Sequence, residues 1–274
     1  MPELPEVETV RKTLKKFLIG KKIKNINIIY DKIIKIDIDT FKNKLINQTF
    51  RSIERYGKYL LFKLDDYTLI SHLRMEGKYF LREKLSNITK HDHIIFILNN
   101  GQYLTYHDVR KFGTMEITKI GEEFSLKSLS KLGPEINDIN INIEKLYNLV
   151  KSSSRPIKAI LLDQTIVAGL GNIYVDEVLF LAKIHPNTKA KDIPLSKFKK
   201  IIKSAQVVIN KAISLGGTTI RTYQSSLGVD GRFQNELNVH TLAGKNCKIC
   251  NSEIKKIRVA GRGTYFCPNC QKGE

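Results

Sequence analysis

The sequence predicts an α+β multidomain protein: an N-terminal β-sandwich with a flanking helix, a helical domain, and a C-terminal four-cysteine β-hairpin unit of the zinc-finger kind. Three observations predict it. An apolar pattern of helical period opens the chain and gives way, over residues 23 to 120, to short β-rich runs. Helical periods return between residues 143 and 215. All four cysteines stand near the C-terminal end, in two C-x2-C pairs.

The opening helix is marked at both ends. Val7, Val10, Leu14, Phe17 and Leu18 recur at helical spacing, Lys15 and Lys16 stand in the last turn, and Gly20 lies just past it. Behind it, Ile34, Ile36 and Ile38 and the runs 59–64, 68–70, 94–98 and 103–106 read as strands, with Asp65-Asp66 and Asn99-Asn100-Gly101 as turns. Many short strands with tight turns predict a sandwich or barrel. Composition shifts at Leu132-Gly133-Pro134, and 137–142 is polar and strand-poor. These shifts set a first domain at 1–132, a linker at 133–142, a helical domain at 143–237 and a small terminal unit at 238–272. Helices are expected near 143–150, 156–164, 173–183 and 196–215, the last stopped by Gly216-Gly217.

Composition bounds the function. A chain of 274 residues can build two cores. Lys+Arg 46 against Asp+Glu 27 leaves a net charge of +19 and a pI near 9.7, which favours a polyanionic partner through phosphate neutralisation and counterion release. No run approaches the ~18 to 20 apolar residues of a membrane span. With no apolar signal region at the N-terminus either, a cytoplasmic protein is expected.

Cys247-Lys248-Ile249-Cys250 and Cys267-Pro268-Asn269-Cys270 match the spacing of a zinc site. Four thiolates complete a tetrahedron and leave no open position, so one structural zinc is expected. A disulfide reading has no secretory context to support it. Between the two pairs, residues 254–259 and Tyr265-Phe266 read as the strands of a hairpin with Arg262 at its apex, placed to meet a phosphate or simply to be solvated.

The first eight residues, Met1-Pro2-Glu3-Leu4-Pro5-Glu6-Val7-Glu8, carry the chemistry. With Met1 removed, Pro2 presents a secondary amine; free α-amino groups titrate near ~8 and can add to carbon to form an iminium. Glu3 stands beside it as a proton donor or acceptor. The same residues also suit a plain helix start, with Pro5 in the first turn and Glu6 and Glu8 at its positive end. Further along, the glycine-rich Gln164 to Tyr174 stretch opens a helix with N–H groups free for phosphate, and Asn172 suits its cap. By pattern alone Met75 and Phe112 read as core, since isolated large apolar residues are usually buried.

The opening Pro-Glu-Leu-Pro-Glu-Val-Glu-Thr together with the four-cysteine hairpin and its Gly-Arg-Gly tip resembles the bacterial formamidopyrimidine-DNA glycosylases, also called 8-oxoguanine DNA glycosylases, nearly from end to end. The resemblance implies a bifunctional glycosylase and AP lyase, acting as a monomer on double-stranded DNA that carries oxidised purines or abasic sites. It implies Pro2 as nucleophile, Glu3 as acid and Glu6 as the third member of that shell. It further implies Lys58 in β-elimination and Arg262 in δ-elimination. Met75, Arg110 and Phe112 match the residues that fill the void left by the flipped nucleotide, with His72 on the same segment as Met75. His91, Arg155, Lys158 and Asn172 match phosphate-side contacts, and the segment 164–174 matches the turn and helix start of a helix–two-turn–helix module. Thr218, Thr219, Ile220, Arg221, Thr222 and Tyr223 match a loop that caps the flipped base.

Two departures stand out. Val239-His240-Thr241-Leu242 replaces a tyrosine–glycine pair, so a phosphate contact would fall to His240; Ala159 replaces a common proline. Two other readings remain open at this point: an endonuclease VIII-like enzyme for oxidised pyrimidines, and a zinc-dependent DNA- or RNA-binding protein without catalysis.

Overall fold

The computed structural model describes residues 1–218 and 231–272. The chain divides into two compact units: residues 1–130 with 216–231, and residues 131–215 with 232–274. The return of the chain to the first unit at Gly216 is not visible in the sequence.

The first unit runs α1 (Leu4–Leu18), β1 (Ile23–Ile28), α2 (Ile38–Leu45), β2 (Ser52–Tyr56), β3 (Tyr59–Lys63), β4 (Tyr67–His72), β5 (Lys78–Arg82), β6 (Asp92–Leu98), β7 (Tyr103–His107), β8 (Thr114–Lys119) and a single turn α3 (Lys127–Ser130). Its strands form two antiparallel four-stranded sheets, ordered β1-β6-β7-β5 and β2-β3-β4-β8. Alternate residues of both sheets enter one core, where Phe62, Tyr79 and Tyr106 stack edge to face at 5.3 and 5.2 Å. Helix α1 buries Val7, Val10, Leu14 and Leu18 in that core. Arg11 Nη1 donates to the Ile53 carbonyl at 3.1 Å and Arg55 Nε donates to Glu8 at 3.1 Å, which pins the helix on β2.

The alternating Ile34, Ile36 and Ile38 do not form a strand. Asp37 accepts from Thr40 N–H at 2.7 Å and starts α2, whose Phe41 and Leu45, one turn apart, are fully buried. A capping carboxylate and an i, i+4 apolar pair outweigh β-branched alternation. Strands β1, β2, β5 and β8 were not read as runs: polar or charged residues such as Lys24 and Asn25, Glu54 and Arg55, Lys78 and Arg82, and Glu116 and Lys119 interrupt their apolar alternation.

Glu123 is buried and accepts from Lys63 Nζ, Thr68 Oγ1 and Gly121 N–H, so a chain segment beyond β8 is tied to the sheet. Burial opposes its charge, but the Lys63 and Thr68 bonds outweigh this and bring its pKa down from 4.5 to about 2. A depressed carboxylate stabilises the fold above its unfolded pKa and loses that contribution as pH falls toward the folded value. The melting temperature is therefore expected to fall between about pH 4.5 and pH 2. The Glu123→Gln variant should show a shallower acid limb in that window.

The second unit carries α4 (Ile143–Val150), α5 (Ile157–Leu162), α6 (Asn172–Ala182), α7 (Leu195–Ser214), β9 (Lys255–Val259) and β10 (Arg262–Phe266). Helix α6 is buried on nearly every side, Asp176 and Glu177 included, while α7 buries one stripe: Phe198, Ile201, Ile202, Ser204, Ala205, Val208, Ile209 and Ala212. Between α5 and α6, Gln164 ties the turns: its side-chain amide donates to Leu162 O at 3.0 Å and Leu170 O at 2.8 Å, and its oxygen accepts Gly169 N–H at 3.0 Å. One side chain thus braces both ends of the turns, beside the Asp163 carboxylate, which accepts from Thr165 N–H and Oγ1. No helix among the described residues is long and apolar enough to cross a membrane.

Candidate active site

In the first unit the N-terminal residues form a closed carboxylate shell. Glu3, 2% exposed, takes the N-cap position of α1; its N–H donates to Glu6 Oε2 at 2.9 Å and its side chain accepts the backbone N–H of Glu6. The other oxygen of Glu6 accepts from Thr218 N–H at 2.8 Å and Thr218 Oγ1 at 3.0 Å. Glu6 therefore joins the N-terminus to the first residue of the expected capping loop. Thr219, Ile220, Arg221, Thr222 and Tyr223 lie outside the described residues. Pro2 is buried, and Met1 is 38% exposed.

Lys58 follows Gly57 in the two-residue turn that joins β2 to β3, where Gly57 takes a φ of +56°. Arg55 bridges Glu8 of α1 to the Gly57 carbonyl at 3.0 Å, linking the helix to the turn that presents Lys58. Lys58 is buried. His72 stands near: burial first, then the cations of Arg74 and Lys58, push its pKa down to about 3. Its Nδ1 accepts Arg74 N–H at 2.9 Å, so the ring is neutral with its proton on Nε2. A neutral imidazole avoids a third positive charge beside Lys58.

The void-filling candidates lie on two loops. Met75 is half-buried, Arg110 is exposed, and Phe112 is 53% exposed with the Arg110 guanidinium 4.9 Å above its ring. Phe112 is therefore not core. His91 is half-buried, its ring 5.6 Å from that of His107.

The second unit holds the remaining candidates, and four differ from expectation. Lys158, expected at a phosphate, is 0% exposed; its Nζ donates to Asp176 Oδ1 at 2.7 Å and to the Gly263 carbonyl at 3.2 Å. The ammonium is spent on a buried carboxylate that would otherwise be stranded. Asn172 is not the helix cap: Gly171, in extended conformation, takes that place, and Asn172 Nδ2 donates to the same Gly263 carbonyl at 3.0 Å. His240 is buried, its Nδ1 donating to Asp176 Oδ2 at 2.7 Å, so one side of its ring serves Asp176. Arg155 is half exposed and donates to Asp163 at 3.0 Å.

Arg262 is exposed, but it opens β10 opposite Val259; the apex itself is Ala260-Gly261, with φ of +47° and +76°. The hairpin's seat was missed in the sequence. Asp176 and Glu177 provide it: Glu177 accepts from the N–H groups of Asn238, Val239 and His240 at 2.9 Å each, and Asp176 also accepts Tyr265 N–H at 3.2 Å. An acidic pair inside an otherwise apolar helix was the available signal. Lys158→Met should lower unfolding free energy by about 3–5 kcal/mol by leaving Asp176 short of a cation, and adding Asp176→Leu should recover much of it. Urea melts read both.

The four sulfurs of Cys247, Cys250, Cys267 and Cys270 lie within 4.8 Å of one another, with Cys250 and Cys267 at 3.4 Å and Cys247 and Cys270 at 3.9 Å. Tetrahedral zinc with Zn–S of about 2.3 Å needs sulfurs roughly 3.8 Å apart. The N–H groups of Ile249 and Cys270 point at Cys247 and Cys267 sulfurs at 3.4 Å, which suits thiolates. The donor set fits one structural zinc.

A sandwich with a buried Pro-Glu start, a helix–two-turn–helix segment and a four-thiolate finger define a helix–two-turn–helix, zinc-finger protein of the DNA-repair glycosylase class. Family models match each part: the formamidopyrimidine-DNA glycosylase N-terminal domain over residues 1–115, the formamidopyrimidine-DNA glycosylase H2TH domain over 132–224, and a zinc finger found in FPG and IleRS over 244–273. The chain belongs to the formamidopyrimidine-DNA glycosylase family. It is 49% identical over 273 residues to the formamidopyrimidine-DNA glycosylase of Oceanobacillus iheyensis, covering 99% of this chain and 98% of that protein. Among solved structures it is similar, at 45% identity and a TM-score of 0.94, to Lactococcus lactis Fpg with DNA containing an abasic site, and equally to a mutant of that protein with Fapy-dG DNA; each comparison covers 99% of this chain and 100% of the other.

Proposed function

We propose that this chain is a bifunctional DNA glycosylase and AP lyase of base excision repair that removes oxidised purines, 8-oxoguanine and formamidopyrimidines, and then nicks the strand. The observation that carries this reading is the buried Pro2-Glu3 start, held by Glu6 at a fixed place on α1. Once Met1 is gone, the Pro2 amine attacks C1′ of the damaged nucleotide and the base leaves with the glycosidic electron pair, protonated by the surroundings. The nitrogen lone pair then breaks the C1′–O4′ bond to open the sugar, and Glu3 delivers the proton that O4′ takes up. The resulting iminium acidifies the C2′ proton; its removal expels the 3′ phosphate, and a second elimination expels the 5′ phosphate. Lys58 serves the first elimination and Arg262 the second.

Such chemistry needs the nucleotide out of the stack, at a cost of a few kcal/mol. Met75 and Phe112 fill the gap and Arg110 pairs with the orphaned base. His91, Arg155 and Asn172 meet phosphates, Thr218 begins the cap over the base, and Lys158 and His240 brace the finger. Acting on chromosomal lesions as a monomer places the protein at the bacterial nucleoid, held there through DNA.

Borohydride added during incubation with an 8-oxoguanine:C duplex should give a covalent adduct in which the DNA is carried by the peptide beginning at Pro2. A thymine-glycol duplex should be processed more slowly. No adduct, or faster thymine-glycol cleavage, would count against this assignment.

A further inference from the structure

The loop 73–77, with Met75, leaves β4 and enters β5; the loop 108–113, with Arg110 and Phe112, leaves β7 and enters β8. Strand β4 pairs with β8 and β5 pairs with β7, with His72 opposite Thr114 and Lys78 opposite His107. Each loop therefore crosses from one sheet to the other, in opposite senses, at the same end of the sandwich. Between them stands Tyr106. Its ring is fully buried against Tyr79, whose hydroxyl donates to Ser71 of β4 at 2.8 Å.

The last residue of each loop meets the Tyr106 hydroxyl. A Cβ added to Gly77 would fall 2.1 Å from that oxygen, and one added to Gly113 would fall 1.7 Å from it. Neither glycine has a positive φ, so close approach and not backbone conformation requires them. We propose that the Tyr106 hydroxyl is a common stop for the two loops, fixing the distance between Met75 and the Arg110–Phe112 pair, which makes Tyr106 a positioning residue for void filling. The proposal rests on the void-filling reading above.

Each loop is internally braced, so what remains to be set is their spacing. In the second loop the buried Asp108 carboxylate accepts the N–H groups of Arg110, Phe112 and Gly113 at 3.0, 2.9 and 2.8 Å, while its carbonyl meets His93 Nε2 at 2.8 Å. In the first, Gly77 N–H donates to Leu73 O at 2.9 Å and Arg74 N–H to His72. Two braced loops touching one oxygen are positioned by that oxygen. Interiors do not stretch to close a small gap, so deleting it lets the loops move independently.

Tyr106→Phe removes the oxygen and keeps the ring. With 2-aminopurine opposite the lesion, stopped-flow fluorescence should show insertion slowed about tenfold, with melting temperature held and the loss larger on 8-oxoguanine than on abasic duplex. A double-mutant cycle adds the readout that a merely structural role would not move. Met75→Ala and Phe112→Ala should be non-additive in the native background and independent in Tyr106→Phe. Gly113→Ala, which drives a methyl into the hydroxyl, should disturb Met75 insertion as well as Phe112 insertion. If Met75→Ala and Phe112→Ala change the signal but Tyr106→Phe does not, or if the coupling survives in Tyr106→Phe, the common stop is overturned while void filling stands. If neither alanine variant changes the signal, void filling fails and the stop with it.

Discussion

A chain that keeps Met1 is expected to give no borohydride-trapped adduct and to cleave 8-oxoguanine DNA on the order of 10⁴- to 10⁶-fold more slowly than the processed chain, the scale on which loss of a covalent nucleophile is felt. The reason is electronic. With Met1 in place the Pro2 nitrogen is part of an amide, its electron pair delocalised into the carbonyl and unable to attack carbon. The surrounding shell does not depend on that change: Glu3 N–H still donates to Glu6, and Glu6 still accepts from Thr218. Melting temperature and affinity for a non-cleavable abasic analogue should therefore stay close to those of the processed chain. Material made with the aminopeptidase inhibited, its intact mass verified, can be compared by single-turnover kinetics. Full-speed turnover with Met1 retained would sink the nucleophile assignment.

Removing zinc is the second large effect. Chelation, or Cys267→Ser, should unfold the finger and weaken binding to an abasic-analogue duplex at least about hundredfold, or roughly 2.7 kcal/mol. The finger's own core is Val239, Cys247, Ile254 and Cys267 against Phe180, too small to order the segment alone. Structural zinc contributes apparent free energies of about 10–16 kcal/mol in finger peptides, far more than such a cluster. Loss of the finger also removes the Gly263 carbonyl from Lys158 and Asn172 and takes His240 and Tyr265 from Asp176. Metal release should be one zinc per chain, and anisotropy titrations should show the affinity drop. Undiminished binding by the metal-free chain would mean that the hairpin does not grip DNA.

Those two effects arise from features that a reader of the sequence can find. The Pro-Glu start and the four cysteines are contiguous or regularly spaced, and their chemistry depends on residue type more than on surroundings. Helices α1, α6 and α7 were legible for a similar reason: period and end signals lie within the element itself. Helix α2 was not, because Ile34, Ile36 and Ile38 suggest alternation, and only the Asp37 cap with Phe41 and Leu45 buried decides for a helix.

What the sequence determined by itself was the family, the metal, the charge that favours DNA and the order of the parts. Which polar groups face outward was decided by tertiary structure alone. Lys158 and His240 look like phosphate ligands in a basic chain, yet both turn inward, since a carboxylate at position 176 in the middle of an apolar helix must be neutralised where it is buried. Phe112 looks like core and is exposed, while Tyr106, an unremarked strand residue, meets two loops that lie far apart in sequence. Spacing along a chain reports local periodicity; which distant side chains share one buried oxygen or one carboxylate is set only when the sheets and helices close on each other.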